Sequence, residues 1–158
     1  MDNIYIGKIV STHGIKGEVK IISDFEYKDR VFVVGNKLII DNLEYIIKSY
    51  RHHKNFEMVT LNDYNDINQV LFLLRKKVYF KKEDLVLEDN EILDDELMTY
   101  KVLTNDEKEG IIKEIFYASP SNKIIRIFTD KEYLVPYSLI EIDKENNVIH
   151  VNLEVCVW

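Results

Sequence analysis

Cysteine is nearly absent from this 158-residue chain, and the single thiol, Cys156, excludes an internal disulfide and falls short of a zinc knuckle. It reads as a reduced side chain with apolar neighbours, the expectation for a cytoplasmic protein. Long apolar runs are also missing. The longest stretch of aliphatic and aromatic residues is Val70 to Leu74, too short for a membrane span. Met1-Asp2-Asn3 puts no basic segment ahead of an apolar one, so no signal peptide is expected. Catalytic signatures are lacking in turn. No nucleophile elbow surrounds Ser23 or Ser49, and no glycine-rich loop precedes a lysine at the phosphate-binding spacing. His52 and His53 are adjacent, so on a strand they would point to opposite faces and could not form a two-histidine metal site alone. With 28 carboxylates, chance acid pairs carry no information about acid/base chemistry. No enzyme activity, cofactor or metal is expected.

What is present is a hydrophobic fraction of 46% and a charged fraction of 31%, the balance of a chain able to bury a core. The net charge of −7 is unevenly placed. Residues 1–90 hold 14 Lys and Arg against 14 Asp and Glu, whereas residues 91–158 hold 7 against 14. Ending the first part at Phe80 leaves 12 basic and 10 acidic residues, so the two parts differ in sign. A module with basic clusters can touch phosphates, and an acidic one repels them and attracts basic proteins.

Two of the five glycines lie three residues apart in the run from Gly7 to Lys20, GKIVSTHGIKGEVK. Ile4 and Ile6 alternate with polar or aromatic neighbours, as do Val19 and Ile21. That period of two predicts a strand on each side, with Gly14 and Gly17 reversing the chain at positive φ. Thr12, His13 and Lys16 are then expected to project at the end of a sheet.

The same run, with Gly-Lys-Ile-Val, Thr-His-Gly and Lys-Gly-Glu-Val in order, resembles the opening of the RimM ribosome maturation factors. Arg30, Phe32 and Gly35 continue the likeness, with Val31 inserted between the first two. So do Arg51, His53 and Lys54, which fall between a strand and Met58-Val59-Thr60-Leu61. Further on, Gly110, Asn122, Leu134 and Pro136 resemble the PRC-barrel domain that follows in that family. The chain departs from the pattern at Ile92-Leu93, where the family often carries an aromatic pair, at Met98-Thr99 where glycine is common, and near Leu74-Arg75-Lys76, where a glycine is usual.

Along the first half, short extended runs at Leu38-Ile39-Ile40, Tyr45-Ile46-Ile47 and Val78-Tyr79-Phe80 predict a small antiparallel barrel, whose closure removes exposed edges. Between them, Lys48 to Asn55 is the densest basic and aromatic cluster. It reads either as a phosphate-contacting patch, with Arg51 and Lys54 as donors and Tyr50 for stacking, or as a solvated strand end. Ile67, Val70, Leu71 and Leu74 stand at helical spacing and predict one short helix near residues 66–75, capped by Asn65 and plugging the barrel end. Arg75-Lys76-Lys77 would then sit at a helix C-terminus, where positive charge is favourable.

The stretch 81–95 is acidic and aperiodic and is expected to be an extended connection. From Glu96 on, five or six short strands with turns at Asn105-Asp106, Ser119 to Asn122, Thr129-Asp130 and Asn146-Asn147 predict a second barrel, with Pro136 ending a strand. The fold class is therefore mainly all-β: two small antiparallel β-barrels on a short linker. In the terms of the resemblance, residues 1–82 are a RimM-type barrel, 83–95 an acidic linker and 96–158 a PRC-barrel domain.

The resemblance implies an assembly chaperone of the small ribosomal subunit that binds a protein of the subunit head, the nineteenth of that subunit. It would assist folding and processing of the ribosomal RNA, as a cytoplasmic monomer. The candidates for RNA or ribosome binding are Thr12, His13, Gly14, Lys16, Gly17, Tyr50, Arg51, His53 and Lys54. Those for the protein partner are Asp94, Asp95, Glu96, Tyr117, Pro136 and Tyr137. Two alternatives stay open: a general RNA-binding barrel protein, and a flavin-binding barrel enzyme, which a yellow preparation would reveal.

Overall fold

The structure, a computed structural model, describes residues 2–154; Cys156 lies outside them. The chain divides between Val86 and Leu87 into two compact units. The first contains β1 (Asn3–His13), β2 (Glu18–Ile22), α1 (Lys28–Val31), β3 (Lys37–Ile40), β4 (Leu43–His53), β5 (Phe56–Leu61) and β6 (Lys77–Lys81). The second contains α2 (Asp94–Leu97), β7 (Lys101–Thr104), β8 (Glu109–Ser119), β9 (Asn122–Phe128), β10 (Glu132–Pro136), β11 (Ile140–Asp143) and β12 (Val148–Val151). The mainly β prediction holds, with six strands in each unit. No helix among the described residues is long and apolar enough to cross a membrane.

In the first unit the strands close in the order β1-β2-β5-β4-β3-β6. The alternation seen in the sequence becomes inside and outside: Ile6, Ile9, Val19, Ile21, Leu38, Ile40, Ile47, Val59, Leu61 and Val78 are fully buried in one core. Each such side chain contributes about 1.5–3 kcal/mol of transfer free energy. Closure needs bent strands, and β1 bends through register shifts between Tyr5 and Gly7 and between Ile9 and Ser11.

The predicted helix at 66–75 is two 3₁₀ turns, Ile67–Gln69 and Leu71–Leu73. The cap is Asp66 rather than Asn65, and it forms a reciprocal capping box with Gln69. The reason is the spacing of the residues that reach the core. Val70 and Leu73 are buried and Leu71 is exposed, so the inward face repeats every three residues, the period of a 3₁₀ turn. The chain leaves this segment extended at Leu74 and left-handed at Arg75, with φ of 68°. Arg75-Lys76-Lys77 therefore does not sit at an α-helix C-terminus, and the macrodipole does not account for its charge.

The second unit is a six-stranded sheet in the order β10-β9-β8-β7-β12-β11. Its pairings are antiparallel except one. β12 runs parallel to β7, with Ile149 opposite Val102, because the β11–β12 hairpin returns beside the first strand of the unit. Pro136 ends β10 as expected and a 3₁₀ turn, Tyr137–Leu139, follows. Ile92, Leu97, Val102, Ile125, Ile127, Val135 and Ile149 form its core.

The stretch 83–95 differs from the extended linker read in the sequence. Leu85 packs on the first core, Ile92 is 1% exposed in the second, and Asp94 already begins α2. Backbone carbonyls of Glu88 and Asn90 accept from Lys144 Nζ at 2.9 Å and Tyr137 Oη at 2.7 Å. Burying Leu85 and Ile92 removes apolar surface from water, which a solvated tether would leave exposed.

Candidate nucleic-acid and protein interfaces

Two hairpin tips meet at one end of the barrel. β1 and β2 are joined through Gly14 and Gly17, at φ of 66° and 85°. A Cβ on Gly17 would lie 3.2 Å from the Asp66 amide nitrogen, and the Ile15 carbonyl accepts from the Ile67 amide at 2.9 Å. The loop is thus seated on the 3₁₀ segment. β4 and β5 are joined through Lys54, itself left-handed at φ of 57°. Ring centroids of His13 and His53 are 6.4 Å apart, so residues 40 positions apart in sequence meet at the tips. A shallow depression of about 430 Å³ is lined by His13, Gly14, Ile15, Lys16, Glu18 and Thr60.

Among the described residues Lys16 and Lys54 are exposed and carry no ion pair, whereas Arg51 is committed. Its Nε and Nη2 donate to the Glu18 carboxylate at 2.9 and 2.8 Å. That fork holds the Glu18 carboxyl below its usual range and raises the Arg51 guanidinium. His53 is pushed below the ordinary imidazole value, first by desolvation and then by Arg51, Lys54, His13 and Lys20. Lys20 lies 5.1 Å above the Phe56 ring.

Two candidates sit elsewhere than expected. Thr12 pairs with Val19, whose side chain is in the core, so it shares the inner side of the ladder and is half-buried rather than projecting. Tyr50 is also half-buried. Its ring lies 15° from parallel to Phe32, with centroids 6.0 Å apart, so that face is taken and not offered for stacking.

The Tyr50 hydroxyl donates to Glu57 at 2.6 Å, and the phenol is pushed up to about 12 by burial and by that carboxylate. Glu57 is a residue the sequence reading missed. Its side chain is 2% exposed, with His52 Nδ1 3.0 Å from both oxygens and Lys28 Nζ at 3.8 Å. The available signal was its place between Phe56 and Met58 on a mostly apolar strand. This network ties α1 to the β4–β5 hairpin.

In the second unit the partner candidates gather around an unpredicted cation, Lys123. Its ammonium pairs with Asp94 and lies 4.5 Å from the Tyr137 ring centroid and 5.9 Å from that of Tyr117. Tyr117 and Lys123 are cross-strand partners on β8 and β9, and Pro136 pairs with Ile124 on the next strand. Asp95 and Glu96 stand exposed on α2. The structure thus brings Asp94, Tyr117 and Tyr137 together and leaves two carboxylates open beside them. Among the described residues no group of three His, Cys, Asp or Glu side chains could hold a metal ion.

The model of the RimM N-terminal domain family matches residues 4–85. The chain is 36% identical over 156 residues to the ribosome maturation factor RimM of Staphylococcus aureus strain NCTC 8325 / PS 47, covering 92% of this chain and 93% of that protein. The same protein of strain MRSA252 gives the same figures. Among solved structures, a 16S ribosomal RNA processing protein RimM from Pseudomonas aeruginosa aligns with a TM-score of 0.49 at 22% identity, over 96% of this chain and 97% of that one. The solution structure of the N-terminal domain of RimM from Thermus thermophilus aligns with a TM-score of 0.48 at 16% identity, over 55% of this chain and 98% of that one. By the family match over residues 4–85 and the identity sustained along nearly its whole length, this chain belongs to the RimM family of ribosome maturation factors.

Proposed function

We propose that this chain is an assembly chaperone of the small ribosomal subunit. Its acidic second unit holds a basic protein of the subunit head, the nineteenth of that subunit, while the hairpin tips of the first unit approach precursor ribosomal RNA and assist its folding and processing. It acts as a cytoplasmic monomer, away from membranes, without catalysis, cofactor or metal.

The observation that carries this reading is the charge contrast between the two units. Residues 1–86 hold 14 basic and 12 acidic side chains, and residues 87–158 hold 7 and 16. A polyanionic strand is attracted to the first and repelled by the second, and a cationic protein has the opposite preference. Neutralising the basic protein keeps it from indiscriminate phosphate contacts until it is delivered. Such contacts must release, so they are moderate in strength and weaken with salt.

The test is a pull-down of the head protein by the full chain and by two charge-reversal variants. Asp95→Lys/Glu96→Lys is expected to lose capture and Lys16→Glu/Lys54→Glu to retain it. The reverse pattern overturns the assignment of roles.

A further inference from the structure

The outer face of β1 and β6 carries an arrangement that the fold does not require. Across this ladder Tyr5 lies opposite Tyr79, and Lys8 lies opposite Lys77. Strict alternation from an outward Tyr5 would send Lys8 into the barrel. The register shift between Tyr5 and Gly7 prevents this, and both Tyr5, at 49%, and Lys8 are exposed. Gly7 makes the shift possible, since a Cβ there would lie 2.5 Å from the Ile22 carbonyl oxygen. Arg75 projects into solvent from its left-handed position two residues before β6 begins.

Two lysines directly opposed on a ladder repel each other. Among the described residues neither Lys8, Lys77 nor Arg75 has an ion-pair partner; the nearby Asp41 carboxylate is taken by Lys76 at 2.9 Å. Asp41, Arg75, Lys77 and Tyr79 line an open depression of about 430 Å³. The two tyrosine rings meet edge to face, 5.7 Å apart at 72°, which leaves ring surface toward solvent. Three uncompensated cations beside an exposed Tyr5 ring, braced by the half-buried Tyr79, fit a flexible polyanion that also presents flat rings.

We infer that this face is a second nucleic-acid surface, separate in sequence from the hairpin tips, and that its ligand is single-stranded RNA. Lys8, Lys77 and Arg75 neutralise successive phosphates, and a base stacks on Tyr5 against Tyr79. Single strands suit it because a duplex hides its base faces. The inference rests on the proposed RNA-binding role and assigns it a surface of its own.

The experiment measures binding of a fluorescent single-stranded RNA dodecamer to the full chain by anisotropy across a salt series, with duplex RNA and inorganic polyphosphate as competitors. Lys8→Ala/Lys77→Ala is expected to weaken binding at least tenfold and to flatten the dependence of log affinity on log salt by about 1.4. Tyr5→Ala is expected to lose about tenfold and Tyr5→Phe to retain wild-type affinity. Removing a lysine from the opposed pair leaves the melting temperature unchanged or raises it, so loss of binding is not loss of fold. Wild-type affinity in Lys8→Ala/Lys77→Ala, with binding abolished by Lys16→Ala/Lys54→Ala, overturns this face and leaves the RNA role standing. Equal competition by polyphosphate or duplex overturns the stacking platform. A wild-type chain that binds no RNA overturns both.

Discussion

Arg51 and Glu18 are joined by a two-pronged hydrogen bond that reaches across β5 from β4 to β2, with contacts of 2.9 and 2.8 Å. It fastens the two hairpins at the tips where His13 and His53 meet. The same carboxylate withdraws one cation from the patch, leaving Lys16 and Lys54 as its open charges.

Glu18→Gln should therefore act oppositely on stability and on binding. The pair is open to solvent on the Arg51 side, at 48% exposed against 16% for Glu18, so the melting temperature falls only by about 1–3 °C. Affinity for RNA rises severalfold, because one negative charge is gone and the guanidinium is released. Thermal denaturation and anisotropy titration check the two effects, and a fall in RNA affinity would show that the fork positions the tips for binding.

The fork also predicts a pH dependence. The Glu18 carboxyl is held below its usual value in the folded chain. Its contribution is complete above the unfolded carboxylate pKa and is lost as pH falls through the lower folded value. Wild type and Glu18→Gln should thus converge in melting temperature in strong acid and differ at neutral pH. For His53, already below the ordinary imidazole value, a bound phosphate favours the imidazolium. RNA affinity should rise as pH falls through that range, and His53→Ala should flatten the rise in a pH series of anisotropy curves.

Glu57 tests the cost of a buried charge. Tyr50→Phe removes a donor at 2.6 Å from a carboxylate that is 2% exposed, and should cost about 1–3 kcal/mol in urea denaturation. The cost in a Glu57→Gln background should be smaller, so the double-mutant cycle returns a coupling energy. An ultraviolet titration of wild type should show the Tyr50 phenol ionising near 12. A cycle without coupling would mean that the pair is not formed in solution.

The 3₁₀ segment makes the sharpest packing prediction. Leu73→Ala, at 1% exposed, should cost about 2–5 kcal/mol, and Leu71→Ala, at 45%, less than about 0.5 kcal/mol. An α-helix over the same residues would put Leu71 on the buried face and reverse the order. Denaturation of the two variants decides between them.

Most β strands of both units, the hairpin turn at Gly14 and Gly17 and the opposed charge of the two halves were legible along the chain, because alternation, positive φ and charge are local properties; β11 (Ile140–Asp143) was not. The sequence also carried the family, through motifs that stay in order along it. What it left open were the pairings. The expected helix over Ile67 and Leu74 became 3₁₀ turns because the barrel mouth admits Val70 and Leu73 at a spacing of three. Tyr50 turned inward because Phe32 and Glu57 receive it, and Arg51 was drawn to Glu18 across an intervening strand. Lys123 became the centre of the partner candidates only when β9 lay beside β8 and α2 folded over it. A side chain's neighbours across a sheet depend on register and closure, and a single bulge such as that at Gly7 changes which face a residue such as Lys8 occupies.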